Sequence, residues 1–168
     1  MAAGRTRAGA SRAAVRSLLQ QLDEAYDRRS WHGPNLRGSL RGVSAALAAW
    51  RPAPGRHGVW ELAVHAAYWK YAAWRRLVGE KRGSFPRAGS NWFEVEVPPT
   101  EKLWRRDLAL LADCHRRLRQ AVAALTDADL ERRAPGSRET VGHLVRGVAA
   151  HDLYHAGQIQ LLKRLRRG

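Results

Sequence analysis

His151-Asp152-Leu153-Tyr154-His155-Ala156-Gly157-Gln158-Ile159, with Val141, Leu144 and Val148 ahead of it and Leu162 behind it, decides how this chain folds. The apolar residues recur every three or four positions, the period of one face of an α-helix. The same period brings His151 and His155 onto that inward face. Two residues at i and i+4 lie one turn apart, about 6 Å along the axis, so both imidazoles can reach one point. Asp152 is next to His151 in the chain and therefore points about 100° away from it. Spacing alone leaves two readings open: a pair of metal ligands, or two core histidines that hydrogen-bond.

The rest of the chain has the same period, and little in it alternates as a strand would. Val15, Leu18, Leu19, Leu22 and Tyr26 form the stripe of a first helix, for which Ser11 is the expected N-cap. Ser30 to Pro34 interrupts it, and Leu36, Leu40, Val43 and Leu47 resume the pattern, as a kinked continuation or a second short helix. The Pro/Gly-rich loop Arg51 to Gly58 releases a helix over 59–78, closed by Gly79. An irregular stretch over 80–99 follows, of the length that is often functional. Thr100 caps a third long helix, Thr126 to Arg133 reads as a short helical turn, and the last helix runs from near Glu139 to about Leu165. Residues 1–10 are expected to be a loose tail, and 11–168 a single all-α domain. Four principal helices with short extra ones in the connections predict an antiparallel bundle with room for a site between facing helices.

Charge is the loudest compositional feature, since 30 Lys and Arg against 15 Asp and Glu leave a net +15. Such a surplus favours phosphate contacts, yet the arginine pairs are scattered along the whole chain. No helix-turn-helix, zinc-finger, RNP or KH pattern accompanies them, and the reading is a solvated basic surface rather than a nucleic-acid interface. Cys114, the one cysteine, allows no intrachain disulfide. With no apolar run of membrane length and no leader, a cytoplasmic protein without membrane contact is expected.

His65 lies mid-helix between Leu62 and Trp69 on another inward stripe, which supplies a third imidazole. Three imidazoles buried together without an ion leave ring nitrogens unpaired, whereas a divalent ion takes one lone pair from each. Glu61, one turn before His65, and Gln158, about one turn beyond His155, are the candidates to accept the remaining ring N–H groups. Glu61 and Tyr154 are the candidate catalytic groups; Tyr68, Trp92 and Gln158 are candidates for holding a cofactor. His32 can approach from the interrupted first helix. His57 in its loop, and His115 and His143 off the inward stripes, are expected at the surface, and Cys114 in the core.

Several segments together resemble the DinB-like superfamily, including its YfiT-like and thiol-dependent S-transferase branches, over nearly the whole chain. They are Trp31-His32-Gly33-Pro34, Arg51-Pro52-Ala53-Pro54-Gly55, Glu61-Leu62-Ala63-Val64-His65 with Tyr68 and Trp69, Ser90-Asn91-Trp92, and the 151–159 stretch quoted above. The resemblance implies an up-down-down-up helical bundle, commonly a homodimer, with His65, His151 and His155 holding one divalent metal, zinc first and nickel second. It also favours a low-molecular-weight thiol as co-substrate for a small-molecule substrate. Three functions follow: a metal-dependent S-transferase, a metal-dependent hydrolase using Glu61 as base, or a non-catalytic metal- or partner-binding protein whose basic surface takes nucleic acid.

Overall fold

The computed structural model describes residues 11–167, and among these the ordered segments are helical. The tail expected over 1–10 lies outside the described residues. The helices are α1 (Ala13–Tyr26), α2 (Leu36–Leu40), α3 (Ala45–Ala49), α4 (Val59–Val78), α5 (Glu101–Ala123), α6 (Asp127–Leu130) and α7 (Val141–Arg167). The four long ones close a ring, α4 packing on α5 and α7 while α1 packs on α7 and α5. No helix is long and apolar enough to cross a membrane.

Each long helix follows its stripe. On α1, Val15, Leu18 and Leu22 are buried, each stabilising the fold by about 1.5–3 kcal/mol through area removed from water. Its start differs from the expected cap: the helix begins at Ala13, and Ser11 Oγ instead donates to Asp127 Oδ2. Asp127 Oδ1 in turn accepts from Val15 N, so a carboxylate at the start of α6 caps α1 from outside. Thr100 does cap α5, accepting from Leu103 N at 3.3 Å. The 36–47 pattern resolves into two short helices separated at Gly42, whose φ of 71° is left-handed.

Two apolar clusters fill the interior. One gathers α2 and α3 around Trp60 and Trp104, whose rings lie 5.1 Å apart; the other joins α1, α5, α6 and α7. Most polar groups inside them are paired. Asp107, fully buried on α5, accepts from Trp60 Nε1 at 2.8 Å and from Arg106 Nε at 3.0 Å, and it binds Arg87 of the long loop. Arg87 also donates to the Glu94 carbonyl within the same loop, so its bond to Asp107 pins the 80–99 segment on α5.

His115 corrects the surface placement expected for it. It is 5% exposed and stacks on Tyr26 at 3.9 Å, because α5 is flanked by α1 as well as α4 and its buried face is wider than one stripe. Below it Lys70 of α4, with no exposed side-chain surface, forms an ion pair with the equally buried Asp152 of α7. Lys70 Nζ also lies 3.4 Å from His115 Nδ1 and 5.0 Å from the Tyr26 ring centre. Burial pushes the His115 imidazole down to about 3, aided by the positive charges of Lys70 and Arg119, so the ring is neutral.

Two outcomes follow. Lys70→Met leaves Asp152 uncompensated and is expected to cost about 3–5 kcal/mol in chemical denaturation, most of it recovered by adding Asp152→Leu. For His115 the folded ring ionises near 3 and the unfolded one near 6.5, so its contribution is intact above 6.5 and is lost as pH falls toward 3. The His115→Phe variant should therefore show a shallower loss of stability over that window; an identical slope would contradict the burial of this ring.

Candidate metal centre

His65 comes to the site from the middle of α4, His151 and His155 from successive turns of α7. The sequence places them there because each occupies a position of its helix's inward stripe, and α4 packs on α7. Their ring nitrogens lie within 4.8 Å of one another. His151 Nε2 is central, 3.0 Å from His65 Nε2 and 2.9 Å from His155 Nε2.

The outer nitrogens decide what the inner ones offer. His65 Nδ1 lies 2.7 Å from the Asn91 carbonyl oxygen, which can only accept, so His65 carries its proton on Nδ1. His155 Nδ1 lies 2.6 Å from Gln158 Oε1 and donates in the same way. Both Nε2 atoms therefore present lone pairs to His151 Nε2, which has at most one proton to give. His151 Nδ1 is buried without a hydrogen-bond partner among the described residues. Burial holds His65 down at about 4 and His151 at about 3, and it also lowers His155. All three rings are neutral at neutral pH, the state in which imidazole is a ligand. With the His151 proton on its unpartnered Nδ1, the three Nε2 atoms offer three convergent lone pairs, a donor set that fits a divalent cation.

The other candidate residues are placed as follows. Gln158 takes the supporting position expected of it. Glu61 does not: its oxygens accept from Arg51 Nε and Nη2 at 3.0 and 2.9 Å and from Gly58 N at 2.8 Å, and His57 Nδ1 lies 3.1 Å away. The place foreseen for it on the His65 N–H belongs to the Asn91 carbonyl. Glu61 sits in the first turn of α4, where a carboxylate finds free backbone N–H groups. Gly58 is required in that turn, since a Cβ there would lie 2.5 Å from the Trp50 carbonyl oxygen.

Trp92 stacks on the His65 ring at 3.9 Å with its other face on His57 at 3.6 Å, both within 10° of parallel. Its edge, rather than a face, is left for a ligand. Tyr154 is 64% exposed and meets His155 edge-on at 5.2 Å, at the solvent side of the site. Tyr68 packs among Trp69, Tyr71, Phe85 and Phe93 and touches no ligand histidine. His32 and His143 are exposed, as is the rim of the site at Trp92.

Sequence reasoning missed two participants. Asn91 adopts φ 65°, a left-handed conformation that asparagine tolerates better than other side chains, and its Oδ1 accepts from Trp69 Nε1 at 3.0 Å. An asparagine flanked by serine and tryptophan in a long loop was the available signal. His57 was assigned to the surface and is instead half-buried against Trp92; nothing in the sequence indicates that contact.

No curated protein and no solved structure matches the chain. A family model does: that of the DinB superfamily, over residues 30–159. The matched span contains the three histidines together with Glu61, Asn91, Trp92 and Gln158, and since it takes in most of the sequence, the chain belongs to the DinB superfamily.

Proposed function

We propose that this protein binds one divalent metal ion, zinc before nickel, on His65, His151 and His155 and uses it to activate a small thiol for transfer to a small-molecule substrate. The observation that carries the metal reading is the convergence of three neutral imidazoles, two with tautomers set by Asn91 and Gln158. When bound, such an ion leaves coordination positions open and lowers the pKa of a group that occupies one.

One feature favours a thiol over hydrolysis. Glu61, the carboxylate that hydrolysis would need as base, has its oxygens engaged by Arg51, Gly58 and His57. Cys114 is buried, and burial pushes its thiol up to about 12, so on the thiol reading the reacting sulfur is that of a small molecule rather than Cys114. Tyr154, exposed beside His155, is the candidate proton donor to a leaving group. Gln158 orients His155, and the edge of Trp92 lines the approach.

The ring of four long helices supports an up-down-down-up antiparallel bundle formed by one domain. A homodimer is supported by α7, where Gly147, Ala150, Tyr154, Gly157, Leu161 and Leu165 make an exposed stripe at three- and four-residue spacing. Small residues there permit close helix approach, and the larger ones would bury apolar area against a second copy. A cytoplasmic location completes the reading.

Purified protein is expected to retain about one equivalent of metal, as three protein ligands with open positions allow. His65→Ala and His151→Ala should lose it on dialysis, and full retention by either variant would remove the site from consideration. With an electrophilic aryl halide and a thiol as probes, chelation should abolish thioether formation. With an epoxide as probe, whose opening leaves an alkoxide that needs a proton, Tyr154→Phe should slow thioether formation while keeping its metal; unchanged turnover after complete metal removal would leave the thiol reading without support.

A further inference from the structure

We infer that Asn91 and Trp92, braced from behind by His57 and Glu61, form a positioning device for His65 that sets which of its nitrogens faces the site and in what plane. The significance of this device rests on the metal reading, but its geometry does not.

A histidine in the middle of a helix has two tautomers and a soft rotation about its Cβ–Cγ bond, and nothing on α4 itself removes either freedom. The loop removes both. The Asn91 carbonyl at 2.7 Å demands an N–H at His65 Nδ1 and so leaves Nε2 as a lone pair aimed at His151. The Trp92 indole lies flat on the imidazole at 3.9 Å, so turning the ring means displacing the indole. The indole is backed in turn by the His57 ring, which covers its other face at 3.6 Å.

His57 is held in turn. Its Nδ1 lies 3.1 Å from Glu61 Oε1, and Glu61 is fixed by two hydrogen bonds from Arg51 and one from Gly58 N. Asn91 is fixed as well, since its side chain accepts from Trp69 Nε1, one turn beyond His65 on the same helix. The loop thus grips α4 at two successive turns while its carbonyl and indole address the ligand between them.

This arrangement distinguishes the three rings. His155 is oriented by Gln158 of its own helix, and His151 Nδ1 has no partner. Only His65 is oriented by a segment remote in sequence. Ligand quality at His65 is therefore coupled to the seating of residues 90–92, and by reciprocity an ion bound there holds the loop in place. Glu61 acts through His57 and Trp92 as a positioning residue rather than a base.

The test uses full-length protein in two arms. In metal-free protein with labelled imidazoles, long-range proton–nitrogen spectra should show His65 as the Nδ1–H tautomer. Trp92→Leu and Asn91→Val, the latter forcing a β-branched residue onto a left-handed φ, should populate Nε2–H. Asn91→Gly, which keeps both that φ and the carbonyl, should retain Nδ1–H. In the second arm, zinc competition against a chromogenic chelator should show Trp92→Leu and Asn91→Val weakened about 10–100-fold. Trp92→Phe should recover part of the loss, and Trp31→Leu, a fully exposed indole, should show none.

Unchanged His65 tautomers in both Trp92→Leu and Asn91→Val, each with wild-type helical content, would overturn the proposal. Equal weakening by Trp31→Leu would do the same. A tautomer shift in protein that binds no zinc would uphold the positioning device and remove the metal reading, so the two failures are distinguishable.

Discussion

Burying three imidazoles around one point obliges the surrounding structure to decide which nitrogen of each ring keeps its proton. Here the decision is made from outside the cluster, by a loop carbonyl for His65 and by a side-chain amide for His155. Once both protons are on the outer nitrogens, the inner nitrogens of His65 and His155 can only offer lone pairs, both toward His151 Nε2, and a cation taking the place of the one proton that His151 can supply would engage all three. The long loop, the first turn of α4 and the packing of α4 on α7 all serve that constraint.

A second buried polar group lies beside the first. Lys70 and Asp152 pair within the core, with His115 and Tyr26 against them, and Asp152 directly follows His151 in α7. An ion pair of this kind contributes little net stability, but either partner alone would be costly, so the pair fixes how α4 and α7 register against each other. That register is what brings His65 level with His151 and His155. The two sets of residues emerge from α7 about 100° apart, one toward the ligand cluster and one toward α5.

Much of this was legible in the sequence because helical periodicity is a strong signal. The stripes on α1, α4, α5 and α7, the Thr100 cap, the Gly79 terminus and the inward placement of His65, His151 and His155 all follow from counting threes and fours. What escaped was what depends on a helix having more than one neighbour. His115 is off the main stripe of α5 yet buried, because α1 covers that flank, and Lys70 is a charged residue whose ion-pair partner lies on a helix far along the chain. Glu61 was assigned to the histidine one turn away, although a glutamate three residues after a helix-starting glycine is equally the mark of a cap. Asn91 and His57 act through loop conformation, for which no periodicity exists.

The family match spans all three histidines, and the geometry shows that the orientation of His65 depends on residues far from it in sequence. The most direct measurement of the central claim is X-ray absorption at the metal edge of the zinc-loaded protein. The account predicts a first shell containing three imidazole nitrogens at about 2.0–2.1 Å, with the outer-ring scattering that identifies histidine. A shell dominated by carboxylate oxygen or by sulfur, without imidazole scattering, would contradict it.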